Sequence, residues 1–501
     1  MAETEVLIAG AGPTGLVLAL CLTRTGVKVR LVDKVAEPGT TSRALAVQAR
    51  TLEFYRQLDL AEAVVAAGRK VAAANLWTEG RRAAHLQLAA FGDEISAFGF
   101  PLIYPQDEHE RLLIATLAQD GVRAERPVEL VGCETGETGV RARLRAADGR
   151  EETCEARFLV GCDGARSEVR HLVGAEFPGG TYEHLFYVAD VEAEGPAIDG
   201  ELHVDLEDAD FLALFPLKAD GHVRLIGTVR DARATQAGAL TFDDVSDRAM
   251  RNLQVRPTRV NWFSTYHVHH RVADRFRSGP LFLAGDAAHI HSPVGGQGMN
   301  TGIGDAVNLA WKLAMVLKGE ADPGLLDRYE PERIGFANRL VATTDRVFTA
   351  VTAPGPLARF VRTRLAPRAV AAALRLPGAP RVAFRTVSQT AIAYPHSPLS
   401  AGEAGERLPW ARLAGGGDNH AGLQGFRWRA QVYEAVPEGL ALPVPLQAFA
   451  WEPGFEAAGL TEGALYLLRP DGYVALRQAR PDAAGVARYF AERGLRPAPT
   501  D

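Results

Sequence analysis

The sequence predicts an α/β fold with three parts: a parallel-stranded nucleotide-binding layer, a β-rich segment inserted into it, and a separate α/β module at the C-terminal end. Three observations carry this. A strand–glycine–helix–strand pattern fills the first ~30 residues. Two later apolar strands each end on a Gly/Asp junction, and the stretch between those junctions has strand periodicity with few helical repeats. At 501 residues the chain is too long for one core and suits two to four domains on a prior of ~150 residues each. It is 47% hydrophobic and 23% charged with a mean hydropathy of −0.06, which fits neither a disordered chain nor a membrane protein. Fifty-five Lys and Arg against 61 Asp and Glu give a net charge of −6. That balance lacks the basic footprint of a nucleic-acid binder, and no apolar run approaches the ~20 residues of a bilayer span.

Val6 to Ala9 reads as a buried parallel strand, Thr14 to Thr25 as a helix, and Lys28 to Val32 as the next strand. Between the first two lies Gly10-Ala11-Gly12-Pro13-Thr14-Gly15. Gly10 makes the tight turn, Gly12 lets a pyrophosphate approach the backbone, and Gly15 lets the helix pack on the sheet. The helix N-terminus then offers bare N–H groups to the phosphates. Asp33 closes the second strand, where a carboxylate accepts from ribose hydroxyls. An adenine dinucleotide is expected, and this segment alone leaves FAD and NAD open.

Phe158 to Ser167 contains a strand running into Cys162-Asp163-Gly164, and Leu281 to His289 contains a second strand ending in Gly285-Asp286. Both deliver Asp to the C-terminal end of a strand, where open α/β sheets bind ligands. Asp286 is followed by Ser292-Pro293-Val294-Gly295-Gly296-Gln297-Gly298-Met299-Asn300 and a helix from about Thr301 to Leu317, a second glycine-rich approach to a helix N-terminus.

These three motifs, in this order and spacing, resemble the class A flavoprotein aromatic monooxygenases, the para-hydroxybenzoate hydroxylase superfamily. The run from Gly285 to Gly302 most resembles the branch of phenol, pentachlorophenol and aromatic-polyketide hydroxylases. The similarity spans roughly residues 5 to 345. It implies a Rossmann-like FAD-binding domain in which Gly10, Gly12 and Gly15 cradle the pyrophosphate and Asp33 meets the adenosine ribose. Arg43 reaches back to FAD, Gln106 contacts the flavin before a helix, and Asp286 holds the ribityl chain. Asp163 lies in a motif implicated in both FAD and nicotinamide-cofactor binding, with Arg166 and Arg170 as phosphate partners. Pro293, Gly295 and Gly296 form the flavin-ring environment, continued by Gly298, Met299 and Asn300. Reduced flavin carries negative charge at N1 and the C2 carbonyl, and a helix N-terminus there stabilises it. The chain departs from the branch at Gly304, where a Gln is usual, and at Ala44-Leu45-Ala46, where the phenol hydroxylases place a carboxylate. A base for substrate deprotonation therefore stays unassigned.

Tyr182 to Glu192, Glu201 to Asp205, Phe211 to Pro216, Val223 to Val229 and Val260 to Val268 read as strands. They fit the family's sheet domain over the flavin, with Phe211, Phe215 and Phe263 as candidate pocket residues or plain sheet core. His267 and His269 face one side of their strand and His270 the other, with no ligand pattern, so no metal is expected. Residues 339–385 hold nine Arg, no Lys and one acid, Asp345, and read as an irregular helical connector with a basic face. From about Thr386 the chain resembles the thioredoxin-like tail of the branch. It has no Cys, which excludes disulfide exchange and leaves a structural or dimer-supporting role. Cys21, Cys133, Cys154 and Cys162 lack zinc spacing and suit reduced thiols in a cytoplasmic protein.

The expected division is 1–177 with 269–385 for the FAD-binding domain, 178–268 for the substrate sheet domain, and 386–501 for the tail. The resemblance implies a monooxygenase in which NADPH or NADH, as a transient co-substrate, reduces FAD, and a flavin C4a-hydroperoxide hydroxylates a small aromatic substrate with molecular oxygen. No nucleic acid and no membrane are expected as partners. A flavin dehydrogenase or oxidase on the same fold, and an FAD-bound protein that sequesters an intermediate, are the competing readings.

Overall fold

The structure, a computed structural model, describes residues 4–39, 44–88, 91–206, 211–229, 240–245, 247–292, 294–352 and 355–498. Arg43 and Pro293 lie outside the described residues.

Strand Thr4–Ala9 is the axis of the first sheet. It pairs in parallel with Val29–Val32 on one side and Glu151–Gly161 on the other. Leu281–Leu283 and Ala124–Glu125 extend the parallel set outward. Val6, Leu7 and Ile8 are fully buried, as a strand covered by helices on both faces requires. Helix Pro13–Arg24, whose residues Leu16 to Leu22 are all fully buried, and helix Gly298–Leu317 share this core.

The second sheet is antiparallel through most of its eight strands, in the order His289–Ile290, Arg256–Val272, Gly179–Glu194, His222–Val229, Leu212–Pro216, Leu202–Asp205, Ala73–Thr78 and Arg81–Gln87. The strand readings of residues 182–268 match its central members. The last two strands come from the first stretch of chain, and Ala73–Thr78 joins through a parallel pairing with Leu202–Asp205. Its sequence Ala-Ala-Asn-Leu-Trp-Thr carries no charge and no clear period-two alternation, so only the pairing partner reveals where it belongs.

The Arg-rich connector is helical, as expected: Tyr329–Thr352, Pro356–Phe360, Ala366–Ala373 and Ala379–Val387, with a wide π turn at Val361–Leu365. In the tail, four strands lie in the order Leu446–Ala448, Arg429–Val432, Leu465–Leu468, Val474–Gln478. The first two run parallel and the rest alternate, the arrangement of a thioredoxin-like core, closed by helix Ala483–Glu492. Trp311 and Met315 of helix Gly298–Leu317 pack into the core of this tail with Trp428, Leu465 and Phe490, so the helix is enclosed from both sides.

Candidate active site

Between the two large sheets runs a cavity of about 1220 Å³. Drug-sized ligands occupy sites of ~300–1,000 Å³, so this one has room for more than one molecule. Gly12, Pro13 and Thr14 border one end and Trp262, Tyr266, Phe186 and Phe348 the other. Gln106, Asp286, Gly295, Gly296, Gly298 and Met299 line it between.

The glycine loop shows three separate reasons for glycine. Gly10 has φ of 102°, and a Cβ there would overlap the Cys162 carbonyl. At Gly15 a Cβ would overlap the Gly10 carbonyl. Gly12 has nothing within 4 Å of its absent Cβ, so its open side faces the cavity. Helix Pro13–Arg24 begins with no side-chain cap on Gly12, and helix Gly298–Leu317 with none on Gln297. Two helix N-termini therefore present uncapped N–H groups at one cavity, a pattern suited to the diphosphate and the anionic ring of FAD.

Asp33 stands at its strand end, but its carboxylate accepts from the Ala11 N–H at 2.7 Å and the Val35 N–H at 2.8 Å. It braces the glycine loop and does not border the cavity. Arg126, unremarked in the sequence, reinforces the same corner by donating to the Ala11 carbonyl at 2.8 Å. Asp163 accepts from the Glu168 and Val169 N–H groups at 2.7 and 3.2 Å, capping helix Glu168–Val173, while its other oxygen is buried without a hydrogen-bond partner. Arg166 is exposed. Arg170 donates to the Ala165 and Ala287 carbonyls at 2.8 and 3.0 Å, tying the two Gly/Asp junctions together.

Asn300 does not line the cavity either. Its oxygen accepts from the Gln48 N–H at 2.8 Å and the Thr51 hydroxyl at 2.7 Å, and its amide nitrogen donates to the Ala46 and Gly296 carbonyls, both at 2.8 Å. Fully buried and fully satisfied, it clamps the Gly295–Gly296 turn, where both glycines are left-handed, to the segment before helix Ala49–Gln57. Gln106 donates its backbone N–H to Ala44 at 3.0 Å and its side chain to Glu110 at 2.7 Å.

Behind Asp286 sits Asp305, which sequence reading passed over. It accepts from the Gly285 N–H at 3.0 Å, from His289 Nε2 at 2.7 Å and from Arg333 Nε at 2.6 Å. Burial opposes its charge, but Arg333 and His289 hold its pKa down at about 2. Twenty residues beyond Gly285, it gives no local signal, because an Asp inside an apolar helix is legible only once Arg333 is seen beside it. His291, which borders the cavity, is pushed down to about 4 by burial and donates from Nδ1 to the Ser292 carbonyl, 2.8 Å away.

At the far end Phe211 and Phe215 border the cavity. Phe263 also reaches it, yet its ring packs against Tyr187 and Phe242 in the core of the opposite sheet face. The wall is built chiefly by Trp262, Tyr266, Phe186 and Phe348, with Phe384 and Val387 of the connector closing it. His267 and His269 border the cavity, while His270 turns to Tyr182 and Asp345. Among the described residues no group of three or more His, Cys, Asp or Glu is placed to hold a metal.

The chain matches the FAD binding domain family over residues 3–344. It is 35% identical to 6-methylpretetramide 4-monooxygenase of Streptomyces rimosus, across 95% of this chain and 91% of that protein. It is 32% identical to pentachlorophenol 4-monooxygenase of Sphingobium chlorophenolicum, across 82% of this chain and 77% of the relative. The solved structure of an anhydrotetracycline hydroxylase from Streptomyces rimosus superimposes with a TM-score of 0.78 at 29% identity, covering 99% of this chain and 100% of the other. With its glycine cradle, paired helix N-termini and aromatic-walled cavity, the chain belongs to the FAD-dependent aromatic monooxygenases.

Proposed function

We propose that this enzyme hydroxylates a phenolic or polyketide-derived aromatic substrate with molecular oxygen, using NADPH or NADH as a transient reductant. One observation carries the reading: a single cavity joins the dinucleotide cradle at Gly12 to the aromatic wall at Trp262 and Tyr266. Gly12, the N-terminus of helix Pro13–Arg24, Gln106, Asp286 and the Gly295–Met299 turn would hold FAD. FAD supplies the redox chemistry, accepting hydride and activating oxygen. The chain's own residues do the rest. The rings of Trp262, Tyr266, Phe186 and Phe348 offer an electron-rich substrate stacking and edge contacts, and the Phe384 and Val387 side chains exclude water.

The residues fall into the working units 1–177 with 269–385, 178–268, and 386–501, with 73–87 lent to the substrate sheet. A homodimer is supported by the connector, where Leu357, Phe360, Leu365, Leu376 and Val382 are each at least half exposed beside arginines. Sedimentation would show that dimer collapsing to a monomer in Leu357→Glu/Leu376→Glu. A cytoplasmic site of action is supported by four free thiols. The net charge of −6 favours neither nucleic acid nor an anionic membrane as partner, and among the described residues no helix is long and apolar enough to cross a membrane.

Labelled oxygen tests the reading. One ¹⁸O atom per product, formed with matching NAD(P)H consumption across a panel of phenols and polycyclic aromatics, is the expected result. Substrate-driven FAD reduction with no label in product would assign a dehydrogenase or oxidase instead. NAD(P)H consumption that no aromatic accelerates would favour an FAD-bound sequestering protein.

A further inference from the structure

The segment that carries the chain out of the connector and into the tail is fastened to the glycine turn beside the cavity. Gln389 has φ of 63°, the left-handed region that side chains disfavour, and is 4% exposed. Its amide nitrogen donates to Gln297 Oε1 at 2.7 Å and to the Thr301 hydroxyl at 3.0 Å. Gln297 Nε2 donates in turn to the Gly295 carbonyl at 3.0 Å and the Val387 carbonyl at 2.9 Å. From the other side Gln48 Nε2 donates to the same Gly295 carbonyl at 2.9 Å. Two side-chain amides thus hold one carbonyl oxygen. Because the peptide unit is planar and trans, pinning the Gly295 oxygen in the protein aims the Gly296 N–H the opposite way.

We propose that Gln389 is a positioning residue for the flavin: through Gln297 it holds the Gly295–Gly296 peptide with its N–H toward bound FAD, and so favours the reduced, anionic ring. This rests on the reading that the Gly295–Met299 turn faces FAD. A backbone N–H held in place acts on charge that develops on reduction at no reorganisation cost. The strained φ of Gln389 is what a glycine would relieve, yet only a Gln side chain spans to both Gln297 and Thr301.

Two variants of the full-length holoenzyme separate position from packing. Gln389→Leu removes the amide and keeps the bulk, whereas Gln389→Gly removes the amide and relieves the backbone. Both are expected to retain FAD and to bind reduced over oxidised FAD about tenfold less well than wild type, a fall of about 30 mV for a two-electron couple. FAD reduction by NAD(P)H should slow about tenfold, with KM for the aromatic within twofold. Gln389→Gly should keep its melting temperature, which a purely structural role would not allow alongside a shifted potential. Wild-type potentials in both variants overturn the proposal, as does a shift in Gln389→Leu alone, which would trace the effect to packing. A wild-type chain that retains no FAD would instead sink the cofactor reading beneath it.

Discussion

At Gly12 and Gly10 one motif makes opposite demands. Gly12→Ala meets nothing within 4 Å and keeps an ordinary φ of −80°, so the chain should fold with an unchanged melting temperature. The added methyl occupies the approach of the diphosphate, and FAD affinity should fall at least about tenfold, or ~1.4 kcal/mol, by fluorescence titration. Gly10→Ala should fail earlier, giving little folded protein. Asn300→Ala removes four hydrogen bonds at once and should cost about 2–4 kcal/mol in denaturant unfolding. His109 adds a pH effect. Burial lowers its pKa from 6.5 to about 3, while its Nε2 meets the Tyr55 hydroxyl at 2.6 Å. The unfolded chain binds this proton first, so stability is intact above pH 6.5 and falls by about 1.4 kcal/mol per unit below it. His109→Gln should flatten the stability profile between pH 6.5 and 4 by one proton's slope.

At the scale of elements, helix Gly298–Leu317 is held by charge as well as by packing. Lys312 donates to Glu332 at 2.9 Å, and Arg469 of the tail reaches both Glu332 and Asp471, each at 2.7 Å. Burial draws Lys312 down to about 8 despite Glu332, and the cations keep Glu332 well below the usual carboxylate range although burial opposes it. Glu332→Gln leaves two buried cations short of a carboxylate and should cost about 3–5 kcal/mol, measured by urea unfolding at neutral pH. What the sequence disclosed at this scale follows from locality. Gly10, Gly12, Gly15, Asp286 and the Gly295–Met299 turn were legible because their task is set within one strand–turn–helix. Asp305 with Arg333, Gln297 with Gln389, and strand Ala73–Thr78 were not, because each has meaning only through a partner 28, 92 or more than 120 residues away. The protein partners of Arg170 and Asn300 were not legible either, because polar residues in a ligand motif bond backbone as readily as ligand.

At the scale of the molecule, the tail completes the core beneath the cofactor site. Trp311 packs edge-on to Trp428 at 5.9 Å between ring centres and donates to Asp471 at 3.1 Å. A chain ending at residue 388 would therefore expose Trp311 and Met315 and strand Lys312 and Glu332 without Arg469. It should aggregate on expression, while the full chain should melt in one transition by calorimetry.

The sheet over the cavity is entered by the chain three separate times, at residues 73–87, 179–272 and 289–290. Each visit ties it to the parallel sheet by two covalent strands, so the lobes are sewn rather than hinged. A clamshell opening would have to stretch all of those connections together. Traffic of substrate and product therefore falls to small local movements by side chains such as Phe384 and Val387, and the rate of exchange is set by those few gates.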